Sequence, residues 1–120
     1  KGITVSGYPN YFKVNGPNTG TGHSSQISYM QTMTSYAVKA IRAVKRKEGV
    51  RAIDARSDVQ RDYVAGVRKL LQATVWQTGG CTAFYRKDMT GDVTSLSPES
   101  VVHFIFSRQR VRLEDYHLIR

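Results

Sequence analysis

A chain of 120 residues carrying a net charge of +9 at pH 7 is long enough to bury one core and too short for two. Its single cysteine, Cys81, excludes an internal disulfide, and no apolar run approaches the ~20 residues needed to cross a bilayer. The composition therefore predicts no membrane partner and a reducing, cytoplasmic setting. With no initiator Met before Lys1 and no charged-then-apolar leader, the expectation is a segment of a longer chain.

Residues 1–10 read as an approach loop ending in the turn residues GYPN. Residues 11–14 are short, aromatic and β-branched, which predicts a buried strand. A glycine-rich loop follows over 16–22. His23, Ser24 and Ser25 then supply a helix start, where a serine hydroxyl accepts from a free backbone N–H two or three residues on. Ile27, Met30, Met33, Ala37, Val38, Ile41 and Val44 recur in steps of three and four, predicting an amphipathic helix dry on that face and ended by Gly49 as a left-handed cap. Residues 50–55 alternate as a short, exposed strand. Ser57 with Gln60 reads as a capping box that opens a second helix, dry along Val59, Tyr63, Val67, Leu70, Leu71 and Val75.

Beyond Trp76 the glycines and aspartates at 79, 80, 88, 91 and 92 interrupt any helical period. Phe84 and Tyr85 fall on a strand or extended loop, residues 89–98 on a turn and return strand, and residues 101–106 on a strand or a short helix. The fold class is α/β: two amphipathic helices, short strands and a long irregular C-terminal region, without internal repeats or linkers.

The layout of the first third, with a β-prone run emptying into a glycine loop that opens a helix, suits a phosphate-bearing or flat heterocyclic ligand. Backbone N–H groups at a helix start are unpaired and carry partial positive charge, favouring an anion or an electron-rich carbonyl. The loop is not a triphosphate loop, because it ends Gly22, His23, Ser24 with no Lys before the hydroxyl. Gly20, Gly22 and Ser25 meet only two of the three glycines of a dinucleotide fingerprint, so the loop alone fits a plain strand-to-helix turn equally well. His23 has no acidic partner nearby in sequence and reads as a ligand contact or helix-start cap. Cys81 reads as a buried or half-buried thiol, and the scattered His and Cys give no metal spacing. Lys39, Arg42, Lys45, Arg46 and Lys47 gather at one helix end, where they complement the helix dipole; a small basic nucleic-acid-binding module is the alternative they leave open.

The run GYPNYFKVNGPNTGTGHSS at residues 7–25 resembles the C-terminal segment of class B flavin-dependent monooxygenases, closest to Baeyer–Villiger enzymes of the 4-hydroxyacetophenone and cyclohexanone monooxygenase kind. The likeness continues through KRKEGV, VRAIDA, SDVQRDY, TVW, the GC-x-x-[WF]-Y element at 80–85 and RLEDY, and so covers nearly the whole chain. It implies a fragment of a flavoprotein with two dinucleotide-binding domains. Residues 1–49 would be the last strand, loop and helix of the FAD-binding domain, and 50–120 a C-terminal helix and cover loops. It also implies an enzyme using FAD, NADPH and O2 to oxygenate a ketone, or in an N- or S-oxygenating relative a soft heteroatom. On this resemblance Gly16, Pro17, Asn18, Thr19, His23, Ser24 and Ser25 contact FAD. Phe84 and Tyr85 lie on a loop covering NADP, with Phe84 standing where the family commonly has Trp, so an indole N–H donor is missing. The two dinucleotide fingerprints, the family's His and Trp motif and its oxygenation arginine do not occur here. The catalytic residues are therefore expected in an upstream region of the same chain.

Overall fold

The computed structural model describes residues 1–120. Its longest element, α1 (Gln26–Lys45), buries Tyr29, Met33, Tyr36 and Ala40, spaced by four, three and four so that they share one face. Tyr29 stacks on Phe104 with ring centroids 3.8 Å apart, and Ile3, Met33 and Tyr36 complete this first cluster. Of the expected dry face only Met33 is buried; Ile27, Met30, Val38 and Ile41 are exposed. The helix has two neighbouring apolar faces, and the chain covers the one carrying the tyrosines.

α1 ends with Arg46 as its cap, three residues ahead of Gly49, which takes φ +72° in the following turn. The chain then enters β1 (Ala52–Ala55), the strand expected there, although Ile53 and Ala55 point into the core. β1 pairs antiparallel with β2 (Tyr116–Ile119), Ala52 facing Ile119 and Ala55 facing Tyr116. Together with Ala40 of α1, Ile53, Ala55 and Tyr116 form the second cluster.

α2 (Ser57–Gln72) turns Val67 and Leu71 inward, while Leu70 and the following Val75 are exposed. The capping box does not form. Arg56 is the N-cap, and the Gln60 side-chain carbonyl instead accepts from the Ser6 backbone N–H at 2.8 Å, tying α2 to the N-terminal segment. Val67 and Leu71 meet Val93 and Leu96 in a third cluster, on which Trp76 and Tyr85 lean. A one-turn helix α3 (Val75–Thr78) and a 3₁₀ turn at Lys87–Met89 separate α2 from that segment.

Two expected strands are absent. Residues 11–14 form a single bridge, Phe12 to Thr4, and 89–98 form only isolated bridges, Val93 to Arg86 and Leu96 to Gly20. A strand exists through its ladder, and no second strand lies alongside either stretch. Residues 101–106 resolve as helix: α4 (Val101–Ser107) begins where the Ser100 hydroxyl accepts from the His103 N–H at 3.2 Å. No helix of the chain is long and apolar enough to cross a membrane.

Arg108, just past α4, is 1% exposed. Its guanidinium lies 3.6 Å from the centroid of the Phe104 ring and donates to Glu99 Oε2 and Tyr63 Oη at 3.0 Å each and to the carbonyl of Lys1. Nearby, the Tyr36 and Tyr116 hydroxyls meet at 2.8 Å. Burial, followed by the neighbouring Tyr116, pushes the Tyr36 phenol well above its ordinary value, and burial raises Tyr63 as well. A group protonated more firmly in the folded state contributes stability that is complete below its unfolded pKa, near 10, and declines as pH rises beyond it. Urea midpoints should therefore fall between about pH 9 and 12. Tyr36→Phe should lose about 1 kcal/mol near neutrality, for the missing hydroxyl contact, yet flatten that alkaline decline; parallel curves for the two proteins would refute the assignment.

Candidate functional site

The glycine loop is strapped to residues 93–97. The Asn18 N–H donates to the Thr94 carbonyl at 2.9 Å, and the Asn18 side-chain amide donates to the carbonyls of Val93 and Leu96 at 3.0 and 3.1 Å. Asn18 itself sits at φ +51°, a left-handed conformation that asparagine tolerates better than most residues. Gly20 donates to Ser95 at 2.8 Å and accepts from Ser97 at 2.7 Å. Thr19 is fully buried and donates its hydroxyl to the Gly16 carbonyl at 2.5 Å. The side chains of Asn18 and Thr19 are thus committed inward, while Pro17, His23, Ser24 and Ser25 remain exposed.

All three glycines of the loop are held by the protein's own packing. A Cβ on Gly16 would overlap the carbonyl oxygen of Gly2, one on Gly20 would come within 2.7 Å of the Ser95 carbonyl oxygen, and one on Gly22 within 2.7 Å of the Trp76 ring. The Trp76 ring also stacks with His23, ring centroids 6.2 Å apart and planes 19° from parallel. His23 therefore rests on an indole and caps nothing. Gly22→Ala should push the Trp76 ring away and change the emission of this single tryptophan, with the far-ultraviolet circular dichroism preserved. An unchanged emission spectrum would mean that the ring is not seated on Gly22.

The start of α1 is built differently from the expectation. Ser25 is the N-cap, but its side chain makes no capping bond. The Thr21 hydroxyl acts ahead of it, accepting from the N–H groups of His23 and Ser24 at 3.1 and 2.6 Å. The Gln26 side chain accepts from the Thr21 N–H at 2.9 Å and donates to the Asn15 side-chain carbonyl at 2.8 Å. This arrangement leaves the backbone N–H groups of Ser25, Gln26, Ile27 and Ser28 without an acceptor in the chain, and no acidic residue stands in the first turn. Four donors at the positive end of a 20-residue helix favour an anion or a polarised carbonyl.

Beside that helix start lies a cleft of about 470 Å³, lined by Lys13, Gly16, Pro17, Thr21, Gln26 and Phe84 with residues 94–96 as its far wall. The structure thus brings Phe84 to the glycine loop across more than sixty positions of sequence. Phe84 is 84% exposed, with the Tyr85 ring against its edge, centroids 5.5 Å apart. Tyr85 packs instead on the cluster of Val67, Leu71, Val93 and Leu96. Cys81 is exposed, contrary to the buried thiol expected. No three His, Cys, Asp or Glu side chains gather as metal ligands.

Lys13, Thr21 and Gln26 escaped the sequence reading. The available signal was Thr21 two and three residues ahead of His23 and Ser24, the spacing of a hydroxyl that closes a turn on the following N–H groups.

No protein-family model matches the chain. Curated relatives do match it from end to end. The Baeyer-Villiger monooxygenase of Streptomyces coelicolor is 35% identical over 120 residues, all of this chain and 23% of the relative. The Baeyer-Villiger monooxygenase of Pseudomonas aeruginosa is 31% identical over 118 residues, 98% of this chain and 22% of its own length. The FAD-binding monooxygenase ktnD of Aspergillus niger is 34% identical over 120 residues, 98% of this chain and 20% of its own. The chain spans about a fifth of the length of the curated relatives it matches. Along its whole length the chain is similar to proteins named Baeyer-Villiger monooxygenase and FAD-binding monooxygenase, at 31–35% identity, as a segment of about a fifth of their extent.

Proposed function

We propose that the chain is the C-terminal segment of an FAD- and NADPH-dependent monooxygenase that inserts one atom of O2 into a ketone, giving an ester or lactone. Its role is to bind and orient cofactor; the reacting groups lie in an upstream region of the same polypeptide. The observation that carries this reading is the set of four unpaired N–H donors from Ser25 to Ser28 beside the cleft. They suit an electron-rich edge of a flavin ring, and the residues that fit are Gly16, Pro17, His23, Ser24 and Ser25 at the surface, with Asn18 and Thr19 holding the loop in shape. When bound, FAD supplies oxygen activation and NADPH the reducing equivalents. Phe84, at the mouth of the cleft, provides apolar cover that excludes water from a ring seated there, and Tyr85 anchors the Phe84 loop to the core. Lys13 adds positive charge on the same wall.

The isolated 120 residues cover one side of such a site, so the purified chain should carry no flavin absorbance. A yellow, stoichiometric FAD complex of the chain alone would contradict the division of labour. The activity is tested in a chimaera in which this chain replaces the matched 120 residues of the Streptomyces coelicolor relative. It should retain FAD and oxidise NADPH in a ketone-dependent manner. A folded chimaera that binds no FAD would sink the reading.

A further inference from the structure

A second hollow, of about 360 Å³, lies between the N-terminal segment and α2, walled by Ile3, by Val59, Val64 and Val67 of α2, and by the rings of Tyr36 and Tyr63. It shares Lys13 and Pro17 with the cleft beside the glycine loop. Pockets that enclose small molecules span about 300–1,000 Å³ and have mostly apolar walls, as this one does. Its polar groups are few, and nearly all are already engaged. Three phenols line it. The Tyr36 and Tyr116 hydroxyls meet each other at 2.8 Å, with Thr4 Oγ1 3.4 Å beyond Tyr116. The Tyr63 hydroxyl accepts from Arg108 at 3.0 Å, and its own proton has no acceptor in the chain. The Gln60 side-chain carbonyl is taken by the Ser6 N–H, and the Lys1 ammonium by the Ser107 carbonyl at 2.7 Å. The side chains of Lys13 and Asp115 remain, one charge of each sign.

We infer that this hollow binds a small, neutral carbonyl compound with an apolar body, whose oxygen accepts the free hydrogen bond of the Tyr63 hydroxyl. Burial keeps that phenol protonated, and so a donor, well above neutral pH. Arg108 strengthens the donor, because a cation donating to the phenolic oxygen draws charge from its O–H. With Lys13 and Asp115 in balance the wall holds no surplus charge for an ion, and an ionised ligand would give up its hydration for little return. A hydrocarbon would fill the space but leave the Tyr63 proton unused. Nothing in this recognition involves flavin, so it holds whether or not the reading under Proposed function does.

The test follows the amide NMR shifts of the chain during titration with methyl benzoate, ethylbenzene and benzoate. Methyl benzoate should bind with a Kd of about 1 mM or tighter, moving the amides of residues 3–5 and 59–67. Ethylbenzene, which lacks the acceptor, should bind about fivefold more weakly, and benzoate about tenfold more weakly or worse. Tyr63→Phe should bring methyl benzoate down to the affinity of ethylbenzene and leave ethylbenzene unchanged. Val64 is 39% exposed, so the indole of Val64→Trp can fold into the hollow; it should abolish binding of both probes with the far-ultraviolet circular dichroism preserved. No saturable shift at those amides would overturn the inference, as would a Tyr63→Phe chain that binds methyl benzoate as tightly as before. In the chimaera with the Streptomyces coelicolor relative, saturation-transfer NMR should show methyl benzoate bound and the signal lost on Val64→Trp. A signal indifferent to that substitution would mean that the rest of the polypeptide fills the hollow, and would equally overturn the inference. A chimaera that lacks FAD yet binds methyl benzoate in this way upholds the site and removes the flavin reading alone.

Discussion

Replacing Arg108 by Met should lower the stability of the chain by about 3–5 kcal/mol, the largest effect expected of any single substitution. The guanidinium is 1% exposed, and five groups depend on it: the Glu99 carboxylate, the Tyr63 hydroxyl, the Lys1 and Phe104 carbonyls and the Ser107 hydroxyl, all within 3.3 Å. Met can fill the slot over the Phe104 ring but offers no donor. What makes the change costly is the partner left behind. Glu99 is 7% exposed, and without Arg108 its carboxylate keeps only the imidazole of His103, at 3.0 Å. An uncompensated buried charge outweighs the modest net value of the pair itself. The total stability of a domain is about 5–15 kcal/mol, and this one buries only 17 of its 120 residues, so the variant should be substantially unfolded at modest urea concentrations. Adding Glu99→Gln to Arg108→Met removes the stranded charge and should restore some of the loss, a coupling on the order of 1–3 kcal/mol in a double-mutant cycle. Equilibrium urea unfolding measures the four proteins of that cycle, Glu99→Gln alone included; a loss below about 1 kcal/mol for Arg108→Met would show that the charge finds water in the folded state.

Gly16→Ala should destabilise the fold by about 1–3 kcal/mol with no cofactor present. The added methyl would overlap the Gly2 carbonyl oxygen and also approach the Lys13 side chain at 3.4 Å. Lys13 can move aside. Gly2 has little room to move, because it is itself crowded by Thr19, whose Cγ2 would overlap a Cβ added at Gly2. Relief therefore requires the loop to separate from the N-terminal segment, which opens the cleft wall that Gly16 and Pro17 form. Thermal unfolding of the chain without ligand is the measurement. An unchanged Tm would mean that the glycine at this position serves a ligand rather than the chain, which reverses the structural explanation.

α1, β1 and α2 were legible because apolar spacing and helix-ending residues are local properties of a short window. The choice of buried face on α1 was not. Ile27, Met30, Val38 and Ile41 are the more hydrophobic set, yet the set with Tyr29 and Tyr36 is buried, since only those tyrosines meet Phe104 and Tyr116 and satisfy their hydroxyls. β2 was invisible for a different reason: YHLI has no strong alternation, and it becomes a strand by finding β1. Residues 11–14 illustrate the reverse, a strand-like sequence that makes only a single bridge, Phe12 to Thr4. Arg108 and Glu99 drew no attention in the sequence, since most such residues lie at the surface and nothing local marks a pair that closes over the N-terminal segment. At the site, the glycine loop and helix start were readable from residue type, and Phe84 was reached only through resemblance. Lys13, Thr21 and Gln26 were missed because their bearing on the site comes from where the loop folds back, and the sequence does not display that return.

The Arg108 clamp bears on the order in which the chain acquires structure. α1 and α2 close contacts four residues apart and can flicker into being alone, but the bond from Arg108 to the Lys1 carbonyl spans 107 positions, and β1 meets β2 only after α2, α3 and α4 have been laid between them. Such closures meet their entropy cost before their contacts reward it, which slows folding. Until they close, the Arg108 charge and the Glu99 carboxylate have nowhere dry to go. The contacts that join Arg108 to Lys1 and β1 to β2 are therefore expected to form after the turns of α1 and α2, and folding should be slower for needing them.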